Sequence, residues 1–385
     1  MNELDSVALV TIAPFPNGNV STLRFTSYLK AIAKRGIRPY VIVYGPSSMA
    51  HAQKDASGVI DGITFQYSTR ISWKYGSIFE KVCFTLIGIF KSSFYLWKIK
   101  PDAIILYGDN PFIIVSWFFL ISKLLSSKFV GDRSELPTVN ERKSFWKLKI
   151  YELKQHLFDG MIIMTKQLSS YYSRFSKRKD FIFFMPMTID VNRFDYIEST
   201  KKNYIAVVFG THNRDGLDTT LKSYVLYKKQ QRGTYKLMLI GDYDHMPNKR
   251  ELDKIIVGSG LSDQIIIKGR VPIEEVPSLL ASASCLITTP REYVSGGFPT
   301  KLGEYMLSNT PIVATIAGEM LDYIEPNIDM LMCNSDNEIK IAENLKYVED
   351  HPNEAQKISN NAKKKASLFF NADTYIDDLL NFLGS

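Results

Sequence analysis

The chain predicts an α/β fold of two doubly wound domains, each a parallel sheet covered by helices on both faces. Three observations carry that expectation. Short apolar runs alternate with amphipathic helical patterns almost from end to end. The length of 385 residues exceeds what one core usually supports. The pattern also restarts after 191–202, a polar stretch with little periodicity that reads as a linker. The expected domains are therefore 1–190 and 203–385, and the last helices of the second can cross back to the first.

In chain order, strands are expected at 7–12, 40–44, 103–106, 129–131, 161–165 and 181–184 in the first half. In the second half they are expected at 204–209, 236–240, 265–268, 285–288 and 312–315. Closing helices are expected at 353–370 and 373–382. Ligands of such sheets sit at the carboxyl ends of the strands. Two first-half segments, 77–98 and 111–125, are rich in Phe, Ile, Leu and Trp. Lys81 and Lys91 cut the first and Lys123 the second, so neither holds the roughly 18 uninterrupted apolar residues of a spanning helix. Each reads as an interfacial helix with basic edges or as a buried helix flanking the sheet.

Charge is divided unevenly. Residues 1–190 carry 25 Lys and Arg against 14 Asp and Glu, a net of +11, and residues 191–385 carry 22 against 26, a net of −4. The basic half points to an anionic surface or substrate. Arg174, Lys177, Arg178 and Lys179 add to it, either functionally or as a solvated helix end. Nucleic-acid binding would rest on charge alone, with no recognised module. Cys83, Cys285 and Cys333 lie far apart, with neither metal-ligand spacing nor a disulfide framework, which fits a reducing compartment. The acidic start, MNELDSVALVTIAP, predicts a strand rather than a signal peptide.

The most informative stretch runs from Pro290 to Glu319. Gly296 and Gly297 lead through Phe298 and Pro299 into a short helix with Thr300, Lys301 and Glu304 on one face. Leu302, Tyr305 and Met306 form the opposite, core-facing stripe. A glycine turn feeding a helix start suits a diphosphate, and a carboxylate one turn on suits ribose hydroxyls. An ordinary strand, turn and helix with a solvated glutamate fits the same residues.

Three segments narrow the choice by their order: KGRVPIEEVPSLL (268–280), GGFPTKLGEYMLSNTPIVAT (296–315) and Gly318-Glu319. Together they resemble the nucleotide-binding half of group 4 glycosyltransferases, retaining enzymes of the GT-B fold, and most of all the branch that builds bacterial surface polysaccharides. VFGTHNRDGLDTTL (208–221), LIGDYD (239–244) and MPMTIDVNRF (185–194) extend the resemblance, as does the opening stretch 11–43. It spans roughly 250 residues, is specific from 204 to 320, and is weak between 45 and 125. It implies a GT-B architecture, with two Rossmann-like domains facing each other across a cleft.

Site roles follow from the resemblance. Arg214 stands where the family places a cation on the donor diphosphate. Lys301 and the backbone of Gly297, Phe298, Pro299 and Thr300 would cradle the same group. Glu304 matches the ribose ligand. Gly269 and Arg270 match the loop beside the nucleobase, and Gly18 matches the first-domain loop that approaches the phosphates. Two departures stand out. The family's paired acid, eight positions before Glu304, is Gly296 here, and Glu292 is the nearest upstream acid. The frequent first-domain histidine is absent, and VGDRSELP (130–137) resembles an acidic variant in which Asp132, Arg133 and Glu135 face the acceptor. His212 reads as a polar lining residue.

The expected activity is transfer of a sugar from a nucleotide-sugar to a lipid-linked or oligosaccharide acceptor, with Asp132, Glu135, Arg214 and Lys301 as the catalytic set. No metal or other cofactor is expected. The expected place is cytoplasmic, peripheral on the inner face of the cell membrane, against its anionic surface. A nucleotide-sugar epimerase and a non-catalytic nucleotide-sugar-binding subunit remain open on the same fold. A nicotinamide dehydrogenase does not fit, because APFPNGNV follows the first strand where G-x-G-x-x-G would stand.

Overall fold

The computed structural model describes residues 4–385 except 19, 48–54, 70–76, 138–144, 196, 198–199, 211–212, 292–295 and 336. The chain divides into two compact units. The first comprises Met1–Asp190, Ser295–Gly297 and Asn371–Ser385, and the second Val191–Val294 and Phe298–Phe370.

The first unit starts with β1 (Ser6–Thr11), α1 (Val20–Lys34), β2 (Arg38–Val43), β3 (Ser57–Ile60) and β4 (Ile63–Tyr67). It continues with α2 (Ile78–Ile99), β5 (Ala103–Tyr107), α3 (Phe112–Leu124), β6 (Lys128–Arg133) and α4 (Phe145–Gln155). β7 (Gly160–Ile163), α5 (Lys166–Tyr172) and β8 (Ile182–Phe184) complete the run. The sheet order is β3-β4-β2-β1-β5-β6-β7-β8, parallel throughout except for the antiparallel edge pair β3–β4. Every residue of β1 and β5 is buried, as continuous apolar strands require in a sheet covered on both faces.

The β3–β4 hairpin was not among the expected strands. Its two-residue turn is Asp61-Gly62, with φ of 53° and 78°, the doubly left-handed conformation of a type I′ turn. The second departure is α2. Ser77 and Glu80 form a reciprocal cap at its start. Along its 22 residues only Gly88, Ile89, Ser92 and Leu96 are buried, so the buried-helix alternative fails for most of this segment. α3 buries Ile114, Val115, Phe118 and Ser122.

The second unit holds β9 (Lys202–Val208), α6 (Leu217–Lys229), β10 (Lys236–Ile240), α7 (Lys249–Ser259), β11 (Ile265–Gly269) and α8 (Val276–Ser282). Then come β12 (Ala283–Thr288), α9 (Lys301–Leu307), β13 (Ile312–Thr315), β14 (Leu331–Cys333), α10 (Glu338–Asp350) and α11 (Pro352–Phe369). Its sheet is entirely parallel, ordered β11-β10-β9-β12-β13-β14. In sequence order this is 3-2-1-4-5-6, the dinucleotide-binding arrangement, and it reverses between β9 and β12. β14 is too short to have stood out as an apolar run.

The final helix, α12 (Ile376–Gly384), belongs to the first unit. Its Ile376, Leu379 and Leu383 sit in one cluster with Val7, Leu9 and Phe25 of β1 and α1. Phe382 stacks on Phe183 of β8 at a centroid distance of 5.3 Å.

Candidate active site

The second unit gathers most of the expected donor residues at the carboxyl edge of its sheet. α9 is fixed there by Tyr305, which is buried. The Val208 N–H, at the end of β9, donates to the Tyr305 hydroxyl at 2.6 Å. The carbonyl of Ile287 in β12 lies 3.5 Å from the same hydroxyl. One side chain thus ties α9 to both strands that flank the reversal of strand order. Leu302 and Met306 are buried beside it, as the stripe predicted. Asn309, just past the helix, takes a φ of 54°, a left-handed stop that asparagine tolerates.

Lys301 opens α9, and its ammonium meets Asp215 at 2.8 Å. Asp215 also accepts the Gly210 N–H, so one carboxylate holds both the lysine and the loop after β9. Burial lowers the Lys301 pKa, opposed by Asp215, while Arg214 nearby lowers it further. Arg214 lies in the short turn Asn213–Asp215, half-buried, and its carbonyl accepts the Arg291 N–H at 2.9 Å. Behind that turn Gly216 has a φ of 64°, and a Cβ there would lie 1.9 Å from the Thr289 carbonyl oxygen. Only glycine closes this turn onto the end of β12.

Glu304, one turn further into α9, is ion-paired with Arg193. The other terminal nitrogen of Arg193 donates to the Ile273 carbonyl at 2.7 Å. Arg193 thereby links α9 to the chain just after the Gly269-Arg270 loop. Gly269 has a φ of 77° with open space around it. Arg270 is exposed and pairs with Asp242 at 2.7 Å, and Asp242 also meets His245 at 2.7 Å. Phe298 is packed between Tyr323 and Phe370, so its ring belongs to the core and only its backbone is left for a ligand. Pro299 is buried and Thr300 half-buried, the latter taking the first cap position of α9 without a side-chain cap bond.

Three partners escaped the sequence reading: Arg193, Asp215 and Asp242. Arg193 stood inside the quoted MPMTIDVNRF run, yet nothing local links it to a glutamate 111 residues away. Asp215 and Asp242 lie in strand-end loops, where position is the only signal.

Gly296 and Gly297 are grouped with the first unit. Gly296 has a φ of 68°, which explains the glycine where the family often has an acid: the turn needs left-handed backbone. Gly18 packs against the start of α1. A Cβ there would meet the Thr22 hydroxyl at 1.9 Å, and that hydroxyl in turn donates to the Pro14 carbonyl at 2.7 Å.

The acidic loop after β6 departs most from expectation. Asp132 is fully buried, with Arg24 at 2.6 Å from both carboxylate oxygens and the Tyr28 hydroxyl at 3.0 Å. Its carboxylate is spent inside the first core, a structural bond and not a surface that an acceptor meets. Arg133 is buried on the other face of the strand, over the Phe158 ring and donating to the Leu106 carbonyl at 3.1 Å. Glu135 alone of the three is exposed. Glu292 and His212 lie outside the described residues. Among the described residues no three His, Cys, Asp or Glu side chains converge on a metal-sized site.

Residues 188–365, which contain the Lys301–Asp215, Arg193–Glu304 and Arg270–Asp242 pairs, match the family model for glycosyl transferases group 1. Over this part the chain is similar to a group 1 glycosyl transferase domain. The whole chain is similar in fold to Anabaena HepE, solved in complex with UDP, at 15% identity over 99% of each chain and a TM-score of 0.72. It is also similar to sucrose-phosphate synthase from Thermosynechococcus elongatus, at 13% identity over 98% of each chain and a TM-score of 0.74. WaaG, a glycosyltransferase involved in lipopolysaccharide biosynthesis, shares 13% identity over 98% of this chain and 99% of its own, with a TM-score of 0.65. The chain therefore has the GT-B fold of two Rossmann-like domains. No curated protein sequence matches it.

Proposed function

We propose that this glycosyltransferase moves a sugar, with retention at the anomeric carbon, from a nucleotide-sugar to a lipid-linked saccharide in bacterial surface-polysaccharide synthesis. The observation that carries the donor half is the pair of ion pairs on α9, Lys301–Asp215 and Arg193–Glu304, beside Arg214 at the carboxyl edge of a dinucleotide-type sheet. A structural neighbour solved with UDP and with UDP-glucose supports a nucleotide-sugar as the ligand.

In this reading the bond from the anomeric carbon to the diphosphate breaks, and the acceptor oxygen bonds to that carbon. Charge grows on the leaving diphosphate, where Arg214 and Lys301 neutralise it. Glu304 accepts hydrogen bonds from the ribose hydroxyls, held in place by Arg193. A donor phosphate oxygen helps take the acceptor proton, so positioning supplies most of the rate. The cations take the role that a divalent metal would otherwise fill, and EDTA is expected to leave activity intact. The lipid-linked acceptor and a cytoplasmic place on the inner membrane face rest on the +11 charge of residues 1–190.

A thermal-shift screen of UDP-, GDP-, ADP- and CMP-sugars tests the donor, since a ligand that binds only the folded state raises Tm. Incubation of the stabilising donor with membrane extracts then tests transfer. Stabilisation by no nucleotide-sugar would sink the reading. Binding without transfer or slow hydrolysis would favour a non-catalytic subunit, and donor epimerisation without acceptor an epimerase.

A further inference from the structure

The first unit carries an apolar surface that its own core does not explain. On α2 the residues Phe79, Val82, Leu86, Phe90, Phe94 and Trp97 recur every three or four positions and are all exposed, Phe79 at 76% and Phe94 at 75%. The stripe follows a helix about 33 Å long. α3 continues it with exposed Ile113, Leu120 and Leu124, and α4 with exposed Trp146, Ile150 and Leu153. The helices are joined side by side. Trp117 of α3 donates its indole N–H to Ser93 of α2 at 2.9 Å, and its ring meets Phe90 at 5.0 Å. α3 in turn packs on α4. Contiguous exposed apolar area on this scale marks a binding surface.

We infer that α2, α3 and α4 together form a platform that inserts sideways into the headgroup layer of an anionic bilayer. This deepens the proposed membrane location by naming the face that enters the lipid. Charge selects the occupant. Lys91, Lys98, Lys100, Lys147 and Lys149 are exposed on the same helices or at their ends, against only Glu80 and Glu152 among the acids of the three. Apolar stripes with basic edges are what anionic lipid accepts. A second copy of the chain would instead set lysine against lysine across a two-fold contact.

Packing decides between lying on the bilayer and crossing it. Among the described residues α2 is the one helix long and apolar enough to span. Gly88, however, brings its backbone against the Tyr44 carbonyl so closely that a Cβ would sit 1.7 Å from that oxygen. Ile89, Ser92 and Leu96 are buried on the same side, and the Ser92 hydroxyl bonds to Ser68 at 2.7 Å. A helix docked on the unit's core from Gly88 to Leu96 cannot also cross a bilayer, so it lies in the interface plane. Trp97 and Trp146 are suited to that depth by their amphipathic rings.

The chain supplies its own reporter, since three of its four tryptophans, Trp97, Trp117 and Trp146, lie on these helices. The test uses the full-length protein with vesicles of phosphatidylcholine, alone or mixed with phosphatidylglycerol, and with the same lipids carrying bromine on the acyl chains. Sedimentation with the anionic vesicles, weakened by salt, and quenching of tryptophan emission by the bromines are expected. Phe79→Asp with Phe94→Asp should weaken vesicle binding by about tenfold or more. Both positions are exposed, so the thermal shift with UDP should stay as in the wild type. Wild-type protein that ignores anionic vesicles, unquenched tryptophans, or a double variant that binds as the wild type would each overturn the assignment. A wild-type dimer that the double variant converts to monomer would assign the face to a second copy. Vesicle binding without UDP binding would count against the transferase and leave the platform standing.

Discussion

Glu304 was legible as a candidate from its spacing to Lys301, but its partner was not. Arg193 reaches both Glu304 and the Ile273 carbonyl, so in the proposed donor site it would orient the ribose ligand and the loop beside the base together. Arg193→Ala and Glu304→Ala are each expected to cost about 1.5–3 kcal/mol in UDP binding, roughly tenfold to a hundredfold in Kd by calorimetry. Because the two share one ion pair, the double variant should lose less than the sum. In the proposed donor site Lys301 would make binding pH-dependent. Burial holds its pKa below the ordinary 10.5, so raising the pH removes its charge earlier than for a free lysine. UDP affinity should therefore fall with alkaline pH, and Lys301→Met should flatten that fall. The stability contribution runs the other way. The native lysine binds its proton less tightly than the unfolded one, so the cost of burying its charge disappears as pH rises. Asp132 was misplaced in the sequence because its loop looked catalytic, while its partners Arg24 and Tyr28 lie more than a hundred residues away.

At the scale of elements, the strands buried on both faces were readable because continuous apolar runs have few other uses. Short edges were not: β14 is three residues long, and β3 has a mostly exposed pattern. The Asp-Gly turn between β3 and β4 was a usable signal, hidden because the neighbouring runs are short and mixed. For α9, Tyr305 is the decisive anchor. Tyr305→Phe leaves the Val208 N–H without its acceptor and should lower stability by about 1–3 kcal/mol. The urea midpoint should drop with an unchanged slope, and the KM for donor should rise as α9 loosens. A Tyr305→Phe midpoint equal to that of the wild type would show that the helix is held by packing alone. The exposure of α2 could not be read from composition, because a buried helix and an interfacial one use the same residues.

At the scale of the molecule, the first unit is completed by the last fifteen residues of the chain, Asn371–Ser385. Ile376, Leu379 and Leu383 are buried in its core, and each contributes about 1.5–3 kcal/mol when taken out of water. Truncation after Phe370 should therefore lower the melting of the first unit while the second unit keeps the proposed UDP binding. Calorimetry with and without UDP checks this. A truncated chain that melts as the full one does would mean that α12 is dispensable.

The sequence by itself determined the two parallel sheets, and it placed Lys301 and Glu304 on the one short helix α9. Each is written locally, in apolar runs, helical spacing and glycine turns whose meaning survives without knowing the neighbours. Tertiary structure alone decided which charges meet and which surfaces stay open. Lys301 found Asp215, Glu304 found Arg193, Asp132 went to Arg24 in the core, and α2 kept most of its apolar face outside. Those outcomes depend on contacts between segments far apart in the chain. Burial, which sets both the worth of an ion pair and the fate of an apolar stripe, is a property of the packed fold.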